Sequence, residues 1–175
     1  EGQSVALPYC DNLTIIGTDP NTVNADLQVL IEAFEKLGFK MHDIEWASHE
    51  TDVLGYHFDG RRLTIRPKSS RVQLLRKALS YCCSGVNVSG RQLEALVGHY
   101  IFMSLVCRQA LSVPRATYTY ISDCYGVFRV PWTSVVRELW VMRGILPLLQ
   151  SSISGKVCTD IVAHDASSNG WGIVR

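Results

Sequence analysis

Two short segments carry carboxylates placed where a divalent cation would explain them. Tyr9-Cys10-Asp11-Asn12 sits between the apolar runs Val5-Ala6-Leu7 and Leu13-Thr14-Ile15-Ile16, and Ile161-Val162-Ala163-His164-Asp165-Ala166-Ser167 runs into Gly170-Trp171-Gly172. A carboxylate at the tip or end of a buried strand is costly unless its charge is compensated, and a hard cation with oxygen ligands is a common compensation. Asp11, with Asn12 beside it, and Asp165 are therefore the candidate ligands, and neither set forms a complete cage. The plainer alternative for Asp165 is a loop residue that caps a turn with Ser167 and Asn169.

Charge is segregated along the chain. The net charge of +1 hides eleven acids against two bases in residues 1–59, then eight bases (Arg61, Arg62, Arg66, Lys68, Arg71, Arg76, Lys77, Arg91) and no acid in residues 60–93. An acidic stretch suits a cation and the basic stretch after it suits a polyanion, while a solvated helix face accounts for the same run equally well.

The remaining polar chemistry is diffuse. Cysteines at 10, 82, 83, 107, 124 and 158 form no C-x-x-C, and the histidines at 42, 49, 57, 99 and 164 lack metal-ligand spacing to them. We read the cysteines as reduced core or helix-face residues rather than zinc ligands. Asn12-Leu13-Thr14 and Asn87-Val88-Ser89 match the glycosylation sequon by chance. With no run of 18 or more apolar residues and no basic-then-apolar leader, the expectation is an intracellular protein of undetermined compartment, without a membrane span. At 175 residues and 47% hydrophobic the chain has enough apolar surface for one good core or two small ones.

The elements that must hold these residues can be read in order. Residues 3–9 and 13–17 read as strands joined by a turn at Asp11-Asn12. Asp19-Pro20 opens a helix that runs to Leu37 and stops at Gly38, with Val23, Leu27, Leu30, Ile31 and Phe34 on one face. Phe39 to Trp46 reads as partly extended. Val53 to Phe58 and Leu63 to Arg66 form a hairpin turning at Asp59-Gly60. Pro67 opens a helix to about Cys83 with Val72, Leu75, Leu79 and Cys82 inward. Ser89 and Gln92 form a capping box for a helix whose inward residues are Leu93, Leu96, Val97, Tyr100, Ile101 and Ser104. A helical piece follows Pro114, Trp132 to Leu149 is helical by period, and Val157 to Ala163 and Trp171 to Val174 read as strands.

In that order the motifs resemble a known family. Tyr9-Cys10-Asp11-Asn12 resembles the Y-x-D-D box of reverse transcriptases, Leu37-Gly38-Phe39 the "LGF" that follows it, and Leu54-Gly55-Tyr56 the primer-grip hairpin. Gly90-Arg91-Gln92-Leu93-Glu94-Ala95-Leu96-Val97-Gly98-His99 resembles the thumb helix, and His164-Asp165-Ala166-Ser167 with Gly170-Trp171-Gly172 the opening of ribonuclease H. The resemblance covers nearly the whole chain and is nearest to the polymerases of DIRS-like, tyrosine-recombinase retroelements.

It implies an α+β fold with a partial palm at 1–66, a helical thumb at 67–126, a connection at 127–155 and the start of a ribonuclease H-like domain at 156–175. It also implies an RNA-directed DNA polymerase using two Mg²⁺ (or Mn²⁺) ions for nucleotidyl transfer, with an RNA/DNA primer-template duplex as partner. Asp11 would be one catalytic carboxylate and Asp165 the first of the ribonuclease H site. The rest of the palm and the nucleotide-binding fingers would lie elsewhere in the same chain or in another, so these residues alone are expected to be inactive. Gly55 and Tyr56 would contact the primer, and Glu94, Gly98 and Phe102, at spacing four on one stripe, would follow the minor groove. For Gly98 the alternative is close helix packing. Arg61, Arg62, Arg66, Lys68, Arg71, Arg76 and Lys77 would hold phosphates without reading sequence.

The chain departs from the family at three positions. Asn12 replaces the more frequent second Asp, Glu94 stands where an amide is common, and no Lys follows "LGF", where His42 is the nearest candidate acid. The alternative function is a domesticated or decayed copy, acting without catalysis as a nucleic-acid-binding or structural subunit of a larger assembly.

Overall fold

The computed structural model describes residues 2–155, 163–167 and 170–174, the last two ranges as backbone strands. The fold is mixed α+β, with small antiparallel sheets and, among the described residues, five α-helices.

Strands β1 (Ser4–Tyr9) and β2 (Asn12–Gly17) form a hairpin in which Tyr9 pairs with Asn12. The turn is therefore Cys10-Asp11, one residue earlier than the sequence reading, and Cys10 takes a positive φ of 51°. Helix α1 (Pro20–Lys36) starts as expected, with the Asp19 carboxylate accepting from the Thr22 amide at 2.9 Å. It ends before Gly38, whose φ of 85° is left-handed. α1 lies against the sheet face of Ser4 and Gly17: Ser4 Oγ donates to Asp26, and a Cβ on Gly17 would come within 2.5 Å of Val23. The opposite face carries Val5, Leu7, Tyr9 and Ile16, between 47% and 60% exposed.

No strand forms between residues 39 and 49. The run 53–58, expected as one strand, instead contains a turn. β3 (Glu50–Val53) and β4 (Tyr56–Asp59) are joined by Leu54-Gly55, both at positive φ, the geometry that fits the twist of a two-residue hairpin. β5 (Thr64–Pro67) pairs with β4, and β6 (Ser151–Ser152) completes the sheet on its far edge. Period-two alternation gives this sheet an apolar face with Val53, Tyr56, Phe58 and Ile65, and a charged face with Glu50, Asp52, His57, Asp59 and Arg66.

Pro67 closes β5 rather than opening a helix, and α2 (Ser69–Cys82) begins two residues later. α3 (Gly90–Ser104) carries the expected capping box at Ser89 and Gln92. α4 (Arg115–Asp123) follows a 3₁₀ turn at Arg108–Ser112, and α5 (Thr133–Ile145) runs into another at Leu146–Leu148. α2 packs on α3 and α5, and α4 packs on the same two. The shared core holds Leu75, Leu79, Leu93, Val97, Tyr120 and Leu139, so α5, within the expected connection, is a full member of the bundle. Its Glu138 reaches across to cap α4, accepting from the Ala116 and Thr117 amides at 2.7 and 2.8 Å.

The distribution of burial is lopsided. Among the described residues before α2, the buried apolar side chains are Val23, Ile31 and Pro67; the rest of the core lies at Val72 and beyond. The helical unit is stabilised by its own interior, and the β1–β2–α1 unit is not.

β7 (Ala163–Ser167) and β8 (Gly170–Val174) form a hairpin in which Asp165 pairs with Gly172. Asp165 is thus within a strand, not in a capping loop. The expected strand 157–163 falls outside the described residues except for Ala163.

Candidate nucleic-acid interface

Four separately expected residues converge at one junction. The Leu54-Gly55 turn abuts α2 and α3, with the Gly55 carbonyl accepting from the Lys68 amide at 3.0 Å. A Cβ on Gly55 would stand 2.6 Å from Arg71 Nη1 and 3.2 Å from Phe102 Cε1, so the φ of 88° favours glycine and a side chain there would displace the Arg71 tip. Tyr56 packs its ring 4.9 Å from that of Phe102, and its hydroxyl donates to the Phe102 carbonyl. Burial raises the Tyr56 pKa, so the phenol stays a donor across the physiological range. The Arg71 guanidinium sits 6.0 Å over the Phe102 ring.

Tyr9 joins this junction from the other side. Tyr9, Val53, Leu54, Tyr56, Phe58 and Phe102 line an apolar cleft of 320 Å³. The hairpin bearing Asp11, the Leu54-Gly55 turn and the α3 stripe are therefore neighbours in space, although 46 residues separate Tyr56 from Phe102.

Along α3, Glu94 and Gly98 are exposed, on the stripe that ends at half-buried Phe102. A Cβ on Gly98 would meet nothing within 4 Å among the described residues, which removes close packing against the neighbouring helices as the reason for a glycine there. The tight helix contact is at Gly90 instead, where a Cβ would stand 2.4 Å from the Ile121 carbonyl oxygen. Sequence reading missed that role. The signal lies in its N1 position, where the chain must pass the end of α4.

The basic residues divide. Arg71 and Lys77 are exposed on α2 and make no ion pair among the described residues; Arg76 is half-buried. Lys68 is held by Asp52 at 2.9 Å, and Asp52 also meets His57 Nδ1 at 2.9 Å. Lys68, then His57, keeps the Asp52 carboxyl below its ordinary value. Arg61 and Arg62 lie in the loop before β5 and Arg66 on β5 itself. Asp59 accepts from the Arg61 and Arg62 amides at 3.0 and 2.9 Å, and Arg62 leans on the same carboxylate at 3.7 Å. Those amides, Arg62 first, lower the Asp59 pKa.

At the box, Asp11 and Asn12 are exposed and adjacent, with Asn12 Nδ2 donating to Asp11 Oδ1 at 3.2 Å. That leaves the Asn12 amide oxygen and the second Asp11 oxygen for a cation, a partial ligand set. Among the described residues no group of three or more His, Cys, Asp or Glu is placed to hold a metal. His42 is exposed and contacts Asp43 at 3.0 Å. Cys82 and Cys124 are buried and unbonded, and burial together with neighbouring Cys83 pushes the Cys82 thiol up to about 11. Among the described residues no helix is long and apolar enough to cross a membrane.

No family model, curated protein or solved structure matches this chain.

Proposed function

We propose that the chain is a segment of an RNA-directed DNA polymerase with ribonuclease H, of the tyrosine-recombinase retroelement type, and that it binds a primer-template duplex. The observation that carries this reading is the junction of Tyr9, Gly55, Tyr56 and Phe102, with Gly98 open one turn along the same helix face. A duplex laid on α3 would find a flat backbone approach at Gly98 and the free guanidinium of Arg71 at the end of the stripe.

In the complete enzyme Asp11, with the Asn12 amide oxygen, would hold part of a two-metal cage for Mg²⁺ or Mn²⁺, which aligns the primer hydroxyl and neutralises the triphosphate. The other carboxylates would come from polypeptide outside the described residues. The same proposal accounts for the open face of Val5, Leu7, Tyr9 and Ile16, because a lone two-stranded sheet is marginal and the rest of a palm would cover it. Asp165 would belong to the ribonuclease H site.

Primer extension on an RNA template with Mg²⁺ or Mn²⁺ tests the catalytic part. The isolated chain should give no templated incorporation; incorporation by this chain alone that Asp11→Ala abolishes would overturn the shared-cage reading. The second reading, a non-catalytic subunit, is favoured by Asn12, which supplies an oxygen without the charge. It predicts no extension even when the remaining palm and fingers are supplied.

A further inference from the structure

We propose that the groove between α2 and α5 binds the phosphate backbone of a single-stranded nucleic acid, with Arg76 and Arg143 on its two banks and Trp140 as a stacking platform. This surface is separate from the α3 stripe. α3 and α5 each pack on α2 and α4, which places them diagonally in the bundle.

The register of the two helices brings the arginines level. Cys83 Sγ, just past the end of α2, lies 3.9 Å from the carbonyl oxygen of Val136 in the first turn of α5, while α2 also packs on the 3₁₀ turn that follows α5. The helices are therefore antiparallel. Seven residues make two turns, about 10 Å along the axis, and return to the same face. Arg76 is seven before Cys83 and Arg143 seven after Val136, so their backbones stand near one level on facing banks, with Arg143 reaching back over Trp140 toward the start of α5.

Both side chains are built in rather than floating. Each has its Nε enclosed without a hydrogen-bond partner, whereas the terminal guanidinium nitrogens make no hydrogen bond or ion pair among the described residues. The forks are thus oriented by their own burial and open at their tips, which lowers the ordering cost of gripping a phosphate. α2 carries no acid, and the only acid of α5, Glu138, is engaged at the start of α4. Nothing on either helix neutralises the pair.

The aromatic component chooses the ligand. Arg143 lies 4.8 Å over the Trp140 ring, and Trp140 remains 49% exposed. A stacking platform takes an unpaired base, because bases in a duplex are already stacked, and packed helices about 8–10 Å apart leave a groove suited to one strand.

The test is fluorescence anisotropy of a labelled oligothymidylate with the full chain across a salt series. An Arg76→Gln/Arg143→Gln variant should bind about tenfold more weakly and flatten the log–log salt slope by about 1.4, two phosphate contacts at about 0.7 each on a single strand. Trp140→Leu, at an exposed position, should weaken binding about tenfold with the slope unchanged. Gly98→Val should leave single-strand binding intact, so failure of the duplex reading and failure of this one are distinguishable. Unchanged affinity and slope in both groove variants would overturn the proposal. So would displacement of the strand by inorganic phosphate at millimolar concentration, the mark of a simple anion site, or equal affinity for polyglutamate, the mark of a generic acidic-protein surface.

Discussion

The Tyr56 hydroxyl donates to the main-chain carbonyl of Phe102, and the two rings pack 4.9 Å apart between centroids. This contact fastens the sheet to the helical unit and fixes the Leu54-Gly55 turn beside the face of α3 proposed to carry a duplex. Phe102 makes its bond through the backbone in the last turn of the helix, where its carbonyl also accepts from the Leu105 amide at 3.3 Å.

Tyr56→Phe should keep the ring packing and remove one of the two hydrogen bonds that carbonyl accepts, leaving the one from the Leu105 amide. We expect a loss of about 0.5–1.5 kcal/mol in denaturant melts. Hydrogen exchange should accelerate in β4 while the α4–α5 interior stays protected.

Gly98 and Gly90 should respond oppositely to the same substitution. Gly98→Ala adds a methyl into open space and removes a helix-interior glycine, so stability should rise by about 0.5–1 kcal/mol. Gly90→Ala forces the methyl against the Ile121 carbonyl and should lower the melting temperature. Gly98→Val should weaken hybrid-duplex binding while leaving the fold intact, a pairing that a purely structural glycine would not give.

Glu138→Ala removes the carboxylate that satisfies the first amides of α4 and the Thr117 hydroxyl. A cost of about 2 kcal/mol is expected in thermal or urea unfolding, because buried donors are left without acceptors and the α4 N-terminus loses its negative charge.

Asp52 sets an acid limit on the charged face of the sheet. Its folded pKa lies below the unfolded value of about 4, so its contribution is present above that value and disappears as pH falls through the folded one. Asp52→Asn should therefore be less stable than the parent at neutral pH. The difference should shrink below about pH 4, read as converging urea midpoints.

Much of this architecture was legible because it rests on local signals. Asp19-Pro20, the Ser89–Gln92 box and the inward stripe Val72, Leu75, Leu79 each state a helix boundary or face in consecutive residues. The shift of the first turn to Cys10-Asp11 was less visible, since only register separates it from Asp11-Asn12, and Cys is an unusual residue for positive φ. The turn at Leu54-Gly55 was hidden inside an apolar run. Tertiary relationships were illegible in principle: nothing local tells that Glu138 caps α4 or that Arg71 overlies Phe102. The contact between Tyr56 and Phe102 likewise joins residues 46 apart with no local signal linking them.

The most direct measurement of the central claim is an amide chemical-shift titration of the chain with an RNA/DNA hybrid at two salt concentrations. The account predicts perturbations concentrated at Glu94, Gly98, Phe102, Gly55 and Arg71, weakening as salt rises in proportion to the phosphates contacted. Perturbations that spare α3 and the Leu54-Gly55 turn, or no response to the hybrid at low salt, would contradict it.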